Sequence, residues 1–207
     1  MASPVADSYG CASGGVIAAG RHRISQNAAI VGDSITATPR NTPAFYWANS
    51  GGKMKLVANC GVSGDRSWQV LSRIDNSYTN AAPGLAGLTN LGRVFIRIGT
   101  NDCLDLVAVA SAAANLTTLL GKIGGYAQKV YVLAVPPIGS FSLSANVLVP
   151  SWNAWFAAYC ATNSAKFTFV DDCVNIRDGS GNQLGQYFDA DTIHLAGPGV
   201  YQMGLIQ

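Results

Sequence analysis

The chain has 207 residues, 49% of them hydrophobic and only 12% charged, which suits one globular domain and excludes a disordered chain, a collagen-like fibre or a charge-rich coiled coil. Its formal net charge is +2, and the run Arg21-His22-Arg23 is too thin for the basic face that nucleic-acid binding needs. All eleven acidic residues are aspartates, so Ser, Thr, Asn and Gly must carry most of the surface, a composition that reads as exported or virion-associated rather than cytosolic.

Residues 1–27 are rich in Gly, Ala and Ser without a clean period and are expected to form an N-terminal arm or linker remnant. The first residues lack a basic region and an apolar core, so no signal peptide is expected. One domain then occupies 28–207. A short apolar strand is predicted over 28–31, ending at Gly32, and a helix is expected to start within 43–48. A second strand covers 55–58, before Asn59-Cys60-Gly61. A helix over 67–74 puts Val70, Leu71 and Ile74 on one face, and a third strand over 93–98 is broken by Gly99.

From Asp105 the apolar positions Leu106, Val109, Ala113, Leu116, Leu120 and Ile123 recur every three or four residues, an amphipathic helix closed by Gly124-Gly125. A fourth strand over 130–135 stops at Pro136-Pro137. A helix runs from about 150, where Pro150 suits a first turn, to 160, and the last strand covers 167–170. This alternation predicts an α/β fold with a parallel sheet covered on both faces, whose chemistry lies at the carboxyl ends of the strands. The uncharged stretch 106–121 is shorter than the ~20 residues of a bilayer span and holds Asn115, Thr117 and Thr118, so no membrane insertion is expected.

Cys11, Cys60, Cys103, Cys160 and Cys173 form no CxxC pair and are too scattered for a zinc site. They read as small buried hydrophobes. Cys60 and Cys103, following the second and third strands, form one candidate disulfide, and Cys160 with Cys173 an alternative.

Four loops hold residues that can do chemistry. Gly32-Asp33-Ser34 follows the first strand and can expose a serine hydroxyl, or serve as a helix N-cap. Asn59-Cys60-Gly61 allows close backbone approach to a ligand, or makes a plain turn. Gly99-Thr100-Asn101-Asp102 can aim an amide into the same cleft, or form an Asx turn. Asp191-Thr192-Ile193-His194 places an acid three residues before one of only two histidines; such a histidine is either structural or a base whose tautomer the acid fixes.

Taken in order, Gly-Asp-Ser, Asn-x-Gly, Gly-Thr-Asn-Asp and Asp-x-x-His resemble the SGNH (GDSL) hydrolase superfamily over nearly the whole chain from residue 28. The resemblance implies a flavodoxin-like three-layer α/β/α sandwich on a five-stranded parallel sheet. It further implies serine ester hydrolysis through an acyl-enzyme, without metal or cofactor. Ser34 would be the nucleophile, His194 the general base and Asp191 its partner, while Gly61 and Asn101 join the Ser34 N–H in an oxyanion hole.

The chain has no insertion large enough to roof the cleft, so the expected substrate is a small-molecule or glycan ester carrying a short acyl group, acetyl first, on a bulky polar alcohol such as a glycan. Phe141 and Leu143 would line the acyl pocket, and Tyr46, Trp47 and Trp152 could stack on sugar rings or simply pack in the core. A monomer or weak oligomer is expected. The competing readings are a non-catalytic carbohydrate-binding or virion structural module on the same fold, and a longer-chain lipase or phospholipase.

Overall fold

A computed structural model of the chain describes residues 26–37, 54–139 and 142–203. Residues 1–25 of the expected arm and the helix starting within 43–48 lie outside the described residues, as do Tyr46, Trp47, Cys11 and Phe141. Five strands, β1 (Asn27–Gly32), β2 (Lys55–Gly61), β3 (Leu91–Arg97), β4 (Ala127–Leu133) and β5 (Phe167–Val170), form one sheet in the order β2-β1-β3-β4-β5. Every pairing is parallel. The helices are α1 (Ser34–Ala37), α2 (Ser67–Arg73), α3 (Thr100–Leu104), α4 (Val109–Tyr126), α5 (Leu143–Asn146), α6 (Val149–Thr162) and α7 (Gly197–Met203).

Strand alternation divides the core in two. Ala29, Val31, Val94 and Ile96 face a large cluster with Val70 of α2 and Ile74 just after it, Leu116, Leu120 and Ile123 of α4, and Trp152 and Phe156 of α6. Ala28, Ile30 and Phe95 face a smaller cluster with Ile35 of α1, Phe188, Leu195 and Met203 of α7. The result is the three-layer α/β/α sandwich. The chain leaves β1 toward β2 on one side while β3 continues on the other, so the crevice where α/β folds bind ligands opens above β1 and β3.

Several boundaries differ from the sequence reading. β2 continues to Gly61 because its register with β1 (Val31 beside Cys60, Gly32 beside Gly61) holds the chain extended to the rim. The helix expected from Asp105 begins only at Val109, as α4, and the residues before Asp105 form the short α3. Leu106 takes a left-handed φ of 60° and is 57% exposed, so it turns the chain between α3 and α4. In α4 the buried alanine is Ala112 rather than Ala113. Gly124-Gly125 does not end α4; there the absent side chain gives room to the Phe167 ring, which an added Cβ at Gly124 would meet at 3.1 Å.

Neither candidate disulfide forms: Cys60, Cys103, Cys160 and Cys173 are all buried free thiols. β1 lies between β2 and β3, so Cys60, at the end of β2, and Cys103, in α3 after β3, stand at the exits of strands that are not neighbours in the sheet. Cys160 and Cys173 belong to cores on opposite faces of the sheet. Burial pushes the thiols of Cys60 and Cys160 up to about 11 and that of Cys103 to about 12, so all three stay protonated. Trp152 is no sugar platform either. It is fully buried against Phe156, and its indole N–H donates to the Val107 carbonyl at 3.1 Å.

Candidate active site

Ser34 opens α1 directly after β1, where the Asp33 carbonyl accepts from the N–H groups of Thr36 and Ala37 at 3.2 and 2.9 Å. This tight turn packs against the end of β2. A Cβ on Gly61 would stand 2.3 Å from the Ala37 nitrogen, so only glycine lets the two backbones approach.

His194 arrives from the other end of the chain. Its Nε2 lies 2.8 Å from Ser34 Oγ and its Nδ1 2.6 Å from Asp191 Oδ2. Asp191 Oδ1 also accepts the backbone N–H of Ile193 at 3.0 Å and of His194 at 2.9 Å. Partial burial pushes the Asp191 carboxyl upward, but the His194 ring and these two N–H groups outweigh it and hold the carboxyl at about 2. An ionised Asp191 therefore accepts from Nδ1–H and leaves Nε2 as the basic nitrogen facing the hydroxyl. The geometry is that of an activated serine.

The loop carrying this pair is tied down locally. Asp189 N–H donates to the His194 carbonyl at 2.8 Å, and Thr192 N–H to the Asp189 carbonyl at 2.9 Å. The Thr192 carbonyl accepts Gly139 N–H at 3.1 Å and Gln183 Nε2 at 2.9 Å, joining the loop to the segment after β4. Thr192 itself holds a left-handed φ of 56°.

The expected oxyanion donors come from β2 and α3. Asn101 Nδ2 donates to the Asp65 carbonyl at 2.9 Å, which fixes the amide and uses one of its two hydrogens. Gly61 N–H is engaged: it donates to Asn59 Oδ1 at 2.9 Å, while Asn59 Nδ2 donates to the Thr36 carbonyl at 3.0 Å. Asn59 thus clasps β2 to α1 and occupies the hydrogen that an oxyanion would need. Leu143, expected in an acyl pocket, stands 70% exposed at the start of α5.

Beneath the rim lie buried charges whose role was not read from the sequence. Arg73 Nε pairs with Asp65 Oδ2 at 2.6 Å and its Nη2 donates to the Gly32 carbonyl at 3.0 Å, bridging the exits of β1 and β2. Asp102 accepts Ser67 N–H at 2.9 Å and Ser67 Oγ at 2.7 Å, locking α3 to α2. Arg97 pairs with Asp172, both fully enclosed. One signal was present: Arg73 lies between the core positions Val70, in α2, and Ile74, just past its end, where a charge must find a buried partner.

Asp33, next to the nucleophile, is fully buried. Its Oδ1 accepts Ile35 N–H at 3.0 Å, whereas Oδ2 and Thr100 Oγ1 are buried with no hydrogen-bond partner among the described residues. Burial pushes the Asp33 carboxyl up to about 7, against the pull of Ile35 N–H and the Arg97 guanidinium.

Solved structures with the same fold include a member of the lipolytic G-D-S-L family from Veillonella parvula (19% identity, 87% of this chain and 94% of that one, TM-score 0.67). A GDSL-like lipase from Bacteroides thetaiotaomicron matches at 21% identity, over 86% of this chain and 84% of that one, with a TM-score of 0.61. A catalytic mutant of an acetylxylan esterase from Geobacillus stearothermophilus matches at 16% identity, over 86% and 90% of the two chains, with a TM-score of 0.64. No curated protein matches the sequence. The model of the GDSL-like lipase/acylhydrolase family, however, matches residues 30–200, and the chain belongs to that family.

Proposed function

We propose that the protein is a serine carboxylester hydrolase cleaving short acyl esters, acetyl first, from a carbohydrate alcohol. The observation that carries this reading is the chain of contacts from Asp191 through His194 to Ser34, at 2.6 and 2.8 Å. In this mechanism His194 Nε2 takes the Ser34 proton as Oγ attacks the acyl carbon. The carbonyl oxygen becomes an oxyanion stabilised by the Asn101 amide, the Ser34 N–H and the Gly61 N–H once the substrate oxygen replaces Asn59 Oδ1. His194 returns the proton to the departing alcohol. Water then attacks the acyl carbon as it gives its proton to His194, and His194 passes that proton to Ser34 Oγ as the C–O bond breaks and the acid leaves. Each oxyanion donor is worth about 3–4 kcal/mol in such sites.

The family supports ester hydrolysis in general. The acetyl and glycan assignments are supported by the absence of a large rim insertion among the described residues and by a structural neighbour described as an acetylxylan esterase. A second reading, a longer-chain lipase, is favoured by Trp68, Leu106, Leu143 and Val147, which are 54%, 57%, 70% and 76% exposed on segments following β2, β3 and β4. A p-nitrophenyl ester series from acetate to palmitate separates them. We expect kcat/KM to be highest at acetate and to fall with length, and Ser34→Ala to lose more than 10³-fold at unchanged circular dichroism. A steady rise from acetate through decanoate would establish the lipase reading. Hydrolysis indifferent to Ser34→Ala would remove the mechanism, and no hydrolysis of any ester would favour the non-catalytic module.

A further inference from the structure

Past the carboxyl ends of β4 and β5 lies a half-open cavity of about 580 Å³, within the range of small-ligand sites, that Ser34, Asp191 and His194 do not line. One wall is apolar, formed by Pro137, Val147 and Pro150. The other wall is polar. Asn146 Oδ1 accepts Ile138 N–H at 2.9 Å, which fixes the amide and leaves Nδ2 as a donor. Arg177 Nη2 pairs with Asp171 Oδ2, and Asp171 Oδ1 accepts Cys173 N–H at 3.3 Å. The guanidinium is thereby held in place with Nε and Nη1 as donors. Facing it, the turn through Asn182 is stiffened by Asp178, whose Oδ1 accepts the N–H groups of Ser180 and Asn182 at 2.8 Å each.

The charges select the ligand. Arg177 is already balanced by Asp171, and Asp178 adds a second negative charge beside the cavity, so a phosphate or carboxylate gains little there. An acyl chain would desolvate the Asn146 amide and the guanidinium without replacing their hydrogen bonds, which disfavours it. A neutral polyhydroxylated ring meets both walls, its C–H face on Pro137, Val147 and Pro150 and its hydroxyls on Asn146, Arg177 and Asn182. The cavity also abuts the catalytic loop. Gly139, two residues beyond Pro137, and Gln183, one residue beyond Asn182, both donate to the carbonyl of Thr192, two residues before His194.

We propose that this cavity is a neutral-sugar subsite that holds the glycan part of the substrate beside the reacting ester. The proposal rests on the reading of the protein as a glycan ester hydrolase and names where that glycan binds. Its test uses Val147→Asp, at a position 76% exposed where folding is not at stake, and Arg177→Met, which keeps the stem and removes the donors. For each variant, kcat/KM on acetylated xylo-oligosaccharide is divided by kcat/KM on p-nitrophenyl acetate. The ratio should fall about tenfold or more. Calorimetric titration of the Ser34→Ala protein with xylotetraose, cellotetraose and chitotetraose should give heat with at least one, and adding Arg177→Met should abolish it. An unchanged ratio in both variants overturns the subsite, as does heat from none of the three sugars or displacement of the sugar by inorganic phosphate. Failure of the hydrolase reading looks different, since p-nitrophenyl acetate turnover would then be absent or independent of Ser34.

Discussion

The two halves of the rim are held by different physics. Ser34, Gly61 and Asn101 stand at the ends of three adjoining strands, over the buried Asp65–Arg73 pair and the Ser67–Asp102 clasp. Asp191 and His194 sit on a loop, with side chains 47% and 30% exposed, held by a handful of backbone and amide hydrogen bonds. The nucleophile side therefore rests on the folding core, and breaking the buried pairs beneath it should destabilise the protein. The base side can be damaged while the fold survives.

The largest effect expected from breaking this contrast is on catalysis. Asp191→Asn lets Nδ1 be the unprotonated nitrogen and turns Nε2 into a donor toward Ser34, so kcat should fall by up to about 10⁴-fold. The urea midpoint should stay within error of the parent, because the carboxylate is half exposed. Equal loss of activity and stability would show that this loop, too, belongs to the folding core.

Arg73→Met tests the other half. It leaves Asp65, only 8% exposed, without its cation, and loss of one partner of a buried pair costs about 3–5 kcal/mol. For a chain of this size that lowers Tm by roughly 10 °C. If Tm moves by less than ~2 °C, the pair is not what holds the exits of β1 and β2.

The same contrast explains what could be read in the sequence. The order of strands and helices was legible because β1, β3 and β5 are short apolar runs, α2 and α4 carry clear periods, and Pro150 marks the first turn of α6. The four motif loops were legible because α/β topology puts strand ends on one rim. The turn at Leu106 was not, since the apolar period begins on that residue and nothing local signals a left-handed turn at a leucine. The Cys60–Cys103 pairing failed because it assumed that strands consecutive in the chain are neighbours in the sheet, when β1 intervenes. Arg73 and Asp102 were missed as scaffolding because their partners are fixed only by tertiary packing. The Asn59 clasp on Gly61 is a side-chain rotamer, which no spacing rule reaches.

Asp33 sharpens the comparison through pH. Its carboxyl ionises near 3.8 in the unfolded chain and at about 7 in the folded protein. Below pH 4 it is neutral in both states and its contribution to stability is fully present. Between pH 4 and 7 the folded protein retains a proton that the unfolded chain has released, so stability is lost as pH rises, by a few kcal/mol at most. Asp33→Asn removes this dependence. The difference in unfolding free energy between parent and variant, measured in urea at pH 4.5 and 7.5, should move in favour of the variant at the higher pH. A difference that does not change with pH would mean that the carboxyl is ionised in the folded protein despite its burial.

The smallest effect tests how the exposed loop holds itself. The Thr192 carbonyl accepts two donors, Gly139 N–H and Gln183 Nε2, and the left-handed Thr192 between Asp191 and His194 is costly for a β-branched residue. Gln183→Met keeps the length of the side chain and removes its donor, while the Gly139 bond remains. Losing one such bond costs about 1 kcal/mol, which corresponds to roughly fivefold if all of it appears in the alignment of His194 with Ser34. The change should fall on kcat and leave KM unaltered, because Gln183 acts through the loop and not on the substrate, and Gln183→Glu, which also lacks the donor, should behave alike. Should KM rise with kcat constant in both variants, Gln183 is contacting substrate. Should neither parameter move, the bonds within 189–194 and the Gly139 N–H suffice to hold the base.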